Sequence, residues 1–335
     1  MNPIIVAELS ANIAGGGLQR ALATVEAAAK AGADAIKLQT WTPGSMVLDQ
    51  NYRIQKGAWA GRKLADLYRE AQTPWEWHRP IFYRARELRM EAWSTPFDIS
   101  ALKFLESINC PRYKIASFEI LDLDLIQACA ATGKPIIIST GMATLDEIQA
   151  AVREIRVRLP FNRYGDPDIT LLQCTSAYPA DASEANILAM TDMRRYLNTK
   201  VGLSDHTMGN GVACAATTLG AVMIEKHFTL SRLDGGPDAH FSLEPPEFAR
   251  LVKDVRDAKA ALGDVRYGPT AGESTELRRG IYWAQDLPVD HTVQSLDMVT
   301  ARPSTATTPA QARALIGCKL KIAVRRGEPV NPEAL

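Results

Sequence analysis

Two short apolar runs, VGLSDHTMGN from Val201 to Asn210 and MIEKHFTLSR from Met223 to Arg232, each stop on a histidine in a chain that has only five. His206 and His227 are therefore read together. At the ends of neighbouring strands, two neutral imidazoles converge within a few ångströms and suit a divalent ion that keeps water or substrate as further ligands. No cysteine adjoins them, which argues against a closed structural zinc site. Use as general acid and base is the competing reading. Asp205 and Lys226 share these strand ends and are candidates for a supporting role. His78 in PWEWH is expected to be structural and His291 in PVDHT an exposed turn. His240, in the loop GGPDAHFSLEP, is left open. Asp238 in the same loop either faces a ligand or merely forms the turn.

Lysines supply the second signal. Lys37 in IKLQ and Lys114 in YKIAS lie inside apolar strand-like runs, where a buried ammonium costs several kcal/mol without an anion. With Ser117, Ser139 and Ser204 they form a cradle for phosphate and carboxylate, so a polyanionic ligand is expected. The remaining strand ends carry Glu8 with Asn12 beyond it, Gln39, Ser94, Thr95, Glu119, Thr140, Thr175, Ser176, Tyr178 and Glu225. Singly, a Ser caps a helix and a Lys snorkels. Polar atoms at every strand end need a joint explanation.

The elements that must hold these residues read as an alternation of β and α patterns from residue 4 to about 262. The runs IIVAEL, AIKLQT, EAWSTPF, RYKIAS, PIIISTG, ITLLQCTSAY, KVGLSD and VMIEKHFTL predict eight strands. Amphipathic stretches separate them, among them TLDEIQAAVREIRVRL, whose Thr and Glu make a capping box. Eight such units predict an α/β TIM (β/α)8 barrel, in which residues at the C-terminal strand ends face the reaction. A doubly wound open sheet is the alternative, but no G-x-G-x-x-G follows the first strand. Residues 43 to 73 form a long connection over that face and are expected to act as a lid or substrate-shaping insert; a passive surface excursion is the other reading.

Past residue 262 the pattern changes. Residues 263–280 are rich in Gly, Ser, Thr and charge and read as a linker. Residues 281–335 show short alternating strands with almost no helical period, too small a module to stand alone, and so are expected to dock. Lys plus Arg and Asp plus Glu balance at 38 each, so no field favours nucleic acid or an anionic membrane. Five scattered cysteines without C-x-x-C spacing, and the lack of a leader pattern or a long apolar run, point to the cytoplasm.

The stretches AELSAN, AGADAIKLQT, STPFD, YKIASFE, ISTGMAT, CTSAYPA, VGLSDHT, EKHFTL and GGPD…FSLEP resemble, in order, those of the sialic acid synthase family. Its pseudaminic acid branch is the nearer match through residues 57–78 and KIASFE. The tail from Gly280 resembles that family's antifreeze-like (SAF) domain. The resemblance implies condensation of phosphoenolpyruvate with an open-chain N-acetylated amino sugar, for this branch 2,4-diacetamido-2,4,6-trideoxy-L-altrose. Synthases for neuraminic or legionaminic acid share the chemistry, and an inactive carbohydrate-binding homologue is the alternative of another class. Carried over by motif, Lys37, Thr95, Lys114, Ser117, Ser139 and Ser204 hold phosphoenolpyruvate, and Gln39, Glu119, Tyr178 and Asp238 contact the sugar. Glu8 handles protons and water, and His206 and His227 bind Mn²⁺ or Mg²⁺. The family implies a domain-swapped homodimer in which Arg302 reaches the partner's sugar. Two departures stand out: Asn12 is followed by Ile13 rather than His, and the tail reads RPSTA.

Overall fold

A computed structural model describes residues 2–158 and 168–334 of the chain. The eight expected strands are present and close on themselves, all parallel and in sequence order. They are β1 (Ile4–Glu8), β2 (Ala35–Thr40), β3 (Glu91–Pro96), β4 (Tyr113–Ile115), β5 (Ile136–Ser139), β6 (Ile169–Cys174), β7 (Lys200–Asp205) and β8 (Met223–His227). Pairing of β1 with both β2 and β8 closes the ring and excludes the open sheet. β6 ends four residues earlier than its apolar run suggests, so Thr175, Ser176 and Tyr178 belong to the loop above it.

Around the ring lie α1 (Gly17–Lys30), α2 (Trp75–Glu87), α3 (Ile99–Ser107), α4 (Leu123–Ala131), α5 (Leu145–Arg158), α6 (Leu188–Leu197), α7 (Gly211–Thr218) and α8 (Pro245–Ala261). Their boundaries have local causes. Asp98 caps α3 by accepting from the Ala101 amide at 2.8 Å, Asp122 caps α4 from Leu125, and Thr144 with Glu147 forms the expected box before α5. The last residue of the helical pattern expected there, Leu159, lies outside the described residues. In α8, Phe248, Leu251, Val252 and Val255 recur at helical spacing and are the buried stripe.

Strand alternation sorts side chains into two shells. Ile36, Leu38 and Thr40 of β2 face the helices, whereas Lys37 and Gln39 face the barrel axis. At Gly202 of β7 a Cβ would come within 2.5 Å of the Met223 carbonyl and 2.7 Å of Leu172, so only glycine fits the inner wall there.

His78 of α2 is structural, as expected. Its Nε2 pairs with Thr40 Oγ1 at 2.8 Å, and Thr40 in turn meets Ser94 at 2.6 Å. Full burial pushes the imidazole down from 6.5 to about 4. Between those values the unfolded chain takes up a proton that the folded chain refuses, so stability present above pH 6.5 is lost as pH falls toward 4. Denaturant unfolding of wild type against His78→Gln over this range is expected to show the wild type losing about 3 kcal/mol more. Parallel pH profiles would contradict it.

The chain divides into two compact units, Met1–Gly263 and Asp264–Leu335. In the second, β9 (Gly280–Trp283) pairs antiparallel with β10 (Met298–Ala301). Its core holds Ile281, Trp283, Leu287, Val293, Leu320, Val324 and Val330. The third expected run, LKIAVRRGEPV, makes only isolated bridges, such as Leu287 with Val324. His291 departs from expectation: it is half-buried and its Nε2 meets the buried Asp297 carboxylate at 2.7 Å.

Candidate active site

Four charges occupy the barrel axis at the C-terminal strand ends. Lys37 Nζ lies 2.8 Å from Glu8 and 3.3 Å from Glu225, and Lys114 Nζ lies 3.4 Å from the same Glu225 oxygen. Gln39 donates to Glu8 at 3.0 Å and Ser204 donates to Glu225 at 3.1 Å. All four ionised groups are buried. Burial alone would push the Glu225 carboxyl up, but the Lys114 and Lys37 ammoniums outweigh it and hold it well below the usual carboxylate range. The lysines respond oppositely. Burial lowers Lys114 more than the Glu225 charge, 3.4 Å away, raises it, and the Lys37 ammonium lowers it further. For Lys37 the same burial is overcome by Glu225 and Glu8 together, and its pKa rises.

This corrects one inference from sequence. The lysines do not require an external anion, because Glu8 and Glu225 already supply two negative charges. Glu225 is the functional residue that sequence reasoning left without a role. Its signal was there: it stands two positions before His227, hence on the same strand face, directly across from Ser204.

Beside the charges stand hydroxyls without partners. Thr95 Oγ1 and Ser139 Oγ are buried and lack a hydrogen bond among the described residues; both sit on inward strand positions, Thr95 opposite Gln39. Ser117 Oγ accepts from the Gly141 amide at 3.1 Å. A Cβ on Gly141 would collide with the Ser117 and Ser176 hydroxyls. Orphaned buried donors beside two ammoniums are what an oxyanion ligand would satisfy.

The two histidines do meet, with ring centroids 5.3 Å apart. His206 Nδ1 donates to the Thr175 carbonyl at 2.8 Å, which leaves Nε2 as the atom that faces a ligand, and Cys174 with that carbonyl raises the ring's pKa against its burial. His227 Nδ1 lies 3.4 Å from Asp238 Oδ2. Burial, then the neighbouring His206 and Lys37 charges, holds His227 far below its ordinary pKa, so it is neutral and able to ligate. Among the described residues no three His, Cys, Asp or Glu side chains already converge as a ligand set. Two imidazole nitrogens with open positions nevertheless fit a divalent ion completed by substrate and water. Tyr178 lies tilted against the His206 ring, centroids 4.2 Å apart. Asp238 is raised to about 7 by burial and by the Glu8 charge. Glu119, in the turn after β4, is likewise raised to about 7 by burial.

Asp205 and Lys226 do not support the site from within. They face away from the axis, where Lys226 Nζ donates to Asp205 at 2.6 Å and to the Thr207 and Gly209 carbonyls. The pair ties β8 to the turn that follows β7. His240 is exposed. Arg302 lies in the second unit, exposed, its Nε donating to the Leu277 carbonyl at 2.7 Å.

The insert after β2 is not a passive excursion. Trp59 donates to the Pro237 carbonyl at 2.9 Å and lies against Tyr178, centroids 5.3 Å apart. With Leu67, Tyr68 and Ala71 of a short helix, Leu64–Ala71, it lines the same cavity as Lys37, Lys114 and the histidines. Leu67, Tyr68 and Ala71 recur with Leu64 at helical spacing, but that spacing does not say what the helix packs against, and Trp59 lies outside it.

The NeuB family's sequence pattern matches residues 24–267. The chain is 40% identical to the pseudaminic acid synthase of Helicobacter pylori over 99% of its own length and 97% of the relative's. It is 33% identical to the N,N'-diacetyllegionaminic acid synthase of Legionella pneumophila, over 98% and 93%. Among solved structures it is similar to the N-acetylneuraminic acid synthetase of Leptospira borgpetersenii, crystallised with citrate. That likeness has a TM-score of 0.71 at 29% identity, covering 81% of this chain and 88% of that one. With a family match over most of the barrel and end-to-end similarity to such relatives, the chain belongs to the NeuB family.

Proposed function

We propose that the protein is a pseudaminic acid synthase. It condenses phosphoenolpyruvate with 2,4-diacetamido-2,4,6-trideoxy-L-altrose and water to give pseudaminic acid and phosphate. The observation that carries this reading is the buried Lys37–Glu225–Lys114 cluster lying in one cavity with the His206/His227 pair. Orphaned hydroxyls at Thr95 and Ser139 and the Ser117–Gly141 cradle support an oxyanion beside it.

In this reading Lys37, Lys114, Thr95, Ser117, Ser139 and Ser204 hold the phosphate and carboxylate of phosphoenolpyruvate. Gln39, Glu119, Tyr178 and Asp238 orient the sugar. A divalent ion, Mn²⁺ or Mg²⁺, held by His206 and His227 would supply Lewis acidity for the sugar aldehyde. The enol carbon bonds to the aldehyde carbon, whose oxygen takes up a proton. Water then adds at the carbon bearing the phosphate ester and passes a proton to Glu8, and the ester bond breaks to release phosphate and a ketone. Glu8, already hydrogen-bonded by Gln39, is held in place for that transfer. The division of labour is a catalytic barrel over residues 1–262, a linker over 263–280 and an SAF-type domain over 281–335. A domain-swapped cytoplasmic homodimer would bring Arg302 to the partner's sugar.

Phosphate release from phosphoenolpyruvate and Mn²⁺ is the test, with the altrose-configured sugar, its legionaminate-forming isomer and N-acetylmannosamine as acceptors. Turnover is expected to be at least ~100-fold faster with the first. Release with no acceptor above background would end this reading, and preference for another acceptor would replace the substrate.

A further inference from the structure

The cavity has two unlike sides. The histidines stand on β7 and β8, whereas Trp41 follows β2 and Phe97 follows β3, across the ring. There Ala11, Trp41, Leu67, Ala71 and Phe97 line the cavity with carbon. Trp41 packs edge-on against Phe97 and against Tyr68, centroids 5.2 and 5.7 Å apart, so the rings fix one another. Their polar atoms are engaged within the protein. Trp41 Nε1 points to the Tyr68 carbonyl, and the Trp41 carbonyl accepts from Trp75 at 3.0 Å and Gln72 at 3.3 Å. Within this wall only the Tyr68 hydroxyl remains as a polar side-chain group, and it lies within electrostatic range of the Glu119 and Asp238 carboxyls.

An aldehyde bound beside the histidines leaves the far end of an open-chain sugar to cross the ring toward this wall. We propose that the wall formed by Trp41, Leu67, Ala71 and Phe97 selects an acceptor whose terminal carbon is a methyl group and rejects one ending in hydroxymethyl. The inference rests on the proposed condensation and adds the residues that choose its substrate. A hydroxyl brought against Trp41, Leu67, Ala71 and Phe97 loses water with the Tyr68 hydroxyl as its one side-chain partner in this wall, while a methyl gains carbon contacts. The insert thus acts as a specificity element, since Leu67 and Ala71 both come from its helix.

Two N-acetylated open-chain sugars that differ only in a terminal methyl or hydroxymethyl, each with phosphoenolpyruvate and Mn²⁺, test it by phosphate release. Wild type is expected to favour the methyl sugar in kcat/KM by about 100-fold. Leu67→Gln, which keeps volume but offers an amide, should cut that ratio at least ~5-fold through KM for the sugar, with KM for phosphoenolpyruvate unmoved. Ala71→Ser should shift it the same way, which guards against a folding defect in the larger change. A wild-type ratio near one, or ratios that neither variant moves, overturns the inference while leaving the condensation intact. Failure of both sugars to release phosphate removes the underlying reaction, and the inference with it.

Discussion

Glu225→Gln is expected to destabilise the ligand-free protein by about 3–5 kcal/mol and to make its stability depend on anions. Glu225 is the only carboxylate that an ion pair joins to Lys114 among the described residues, at 3.4 Å, and it shares Lys37 with Glu8. An amide keeps the shape and still accepts from Ser204, but it removes the charge. Two buried ammoniums then face one another with Glu8 alone to offset them, and Lys114 must either lose its proton or remain buried and unpaired. Inorganic phosphate can occupy the vacated electrostatic role, so millimolar phosphate should recover most of the lost stability in the variant and much less in wild type. Thermal and denaturant unfolding with and without phosphate check both parts. A variant as stable as wild type, or one with the same phosphate response, would mean that Glu225 does not balance the lysines.

That expectation was not available from the sequence, and the reason is geometric. Lys37 and Lys114 were legible because an ammonium inside an apolar strand is costly wherever the strand ends up. Their shared partner was not, since Glu225 lies 188 positions from Lys37 and 111 from Lys114, and only closure of the ring brings the three together. The period-two rule carries more than was drawn from it. Applied strictly to SDH and EKH, it sends Ser204, His206, Glu225 and His227 inward and Asp205 with Lys226 outward, as observed.

Fold class was legible for a related reason. Eight β-rich runs separated by capped helical stretches leave few topologies once right-handed crossovers are required. The insert was legible only as a length. Trp59 reaches Pro237 across 178 positions, and Leu67 faces the cavity through a helix whose buried face could equally have met the barrel's outside. In the second unit the apolar alternation of LKIAVRR suggested a strand, yet Lys321 and Val324 instead make local and bridging bonds. A module this small lacks the sheet partners that would extend the ladder.

Exhaustive chelation is expected to lower turnover at least ~1,000-fold, equivalent to about 4 kcal/mol of transition-state stabilisation, with recovery on adding Mn²⁺. His206→Ala and His227→Ala should each abolish the recovery. The two substitutions separate ligation from acid–base use of the same rings. If the imidazoles bind an ion, each variant loses Mn²⁺ affinity, measured by calorimetry or by the paramagnetic signal of bound Mn²⁺, whether or not substrate is present. If they only shuttle protons, metal affinity is unchanged and a pH profile moves instead. The geometry is compatible with ligation: His206 Nδ1 donates to the Thr175 carbonyl and leaves Nε2 toward the cavity, and burial beside cationic neighbours holds His227 far below its ordinary pKa. Unfolding midpoints close to wild type are expected for His227→Ala, since truncation removes a neutral ring from a cavity wall rather than a charge from an ion pair. Full activity after chelation, or undiminished Mn²⁺ binding in both variants, would refute the metal assignment and return the pair to general acid–base chemistry.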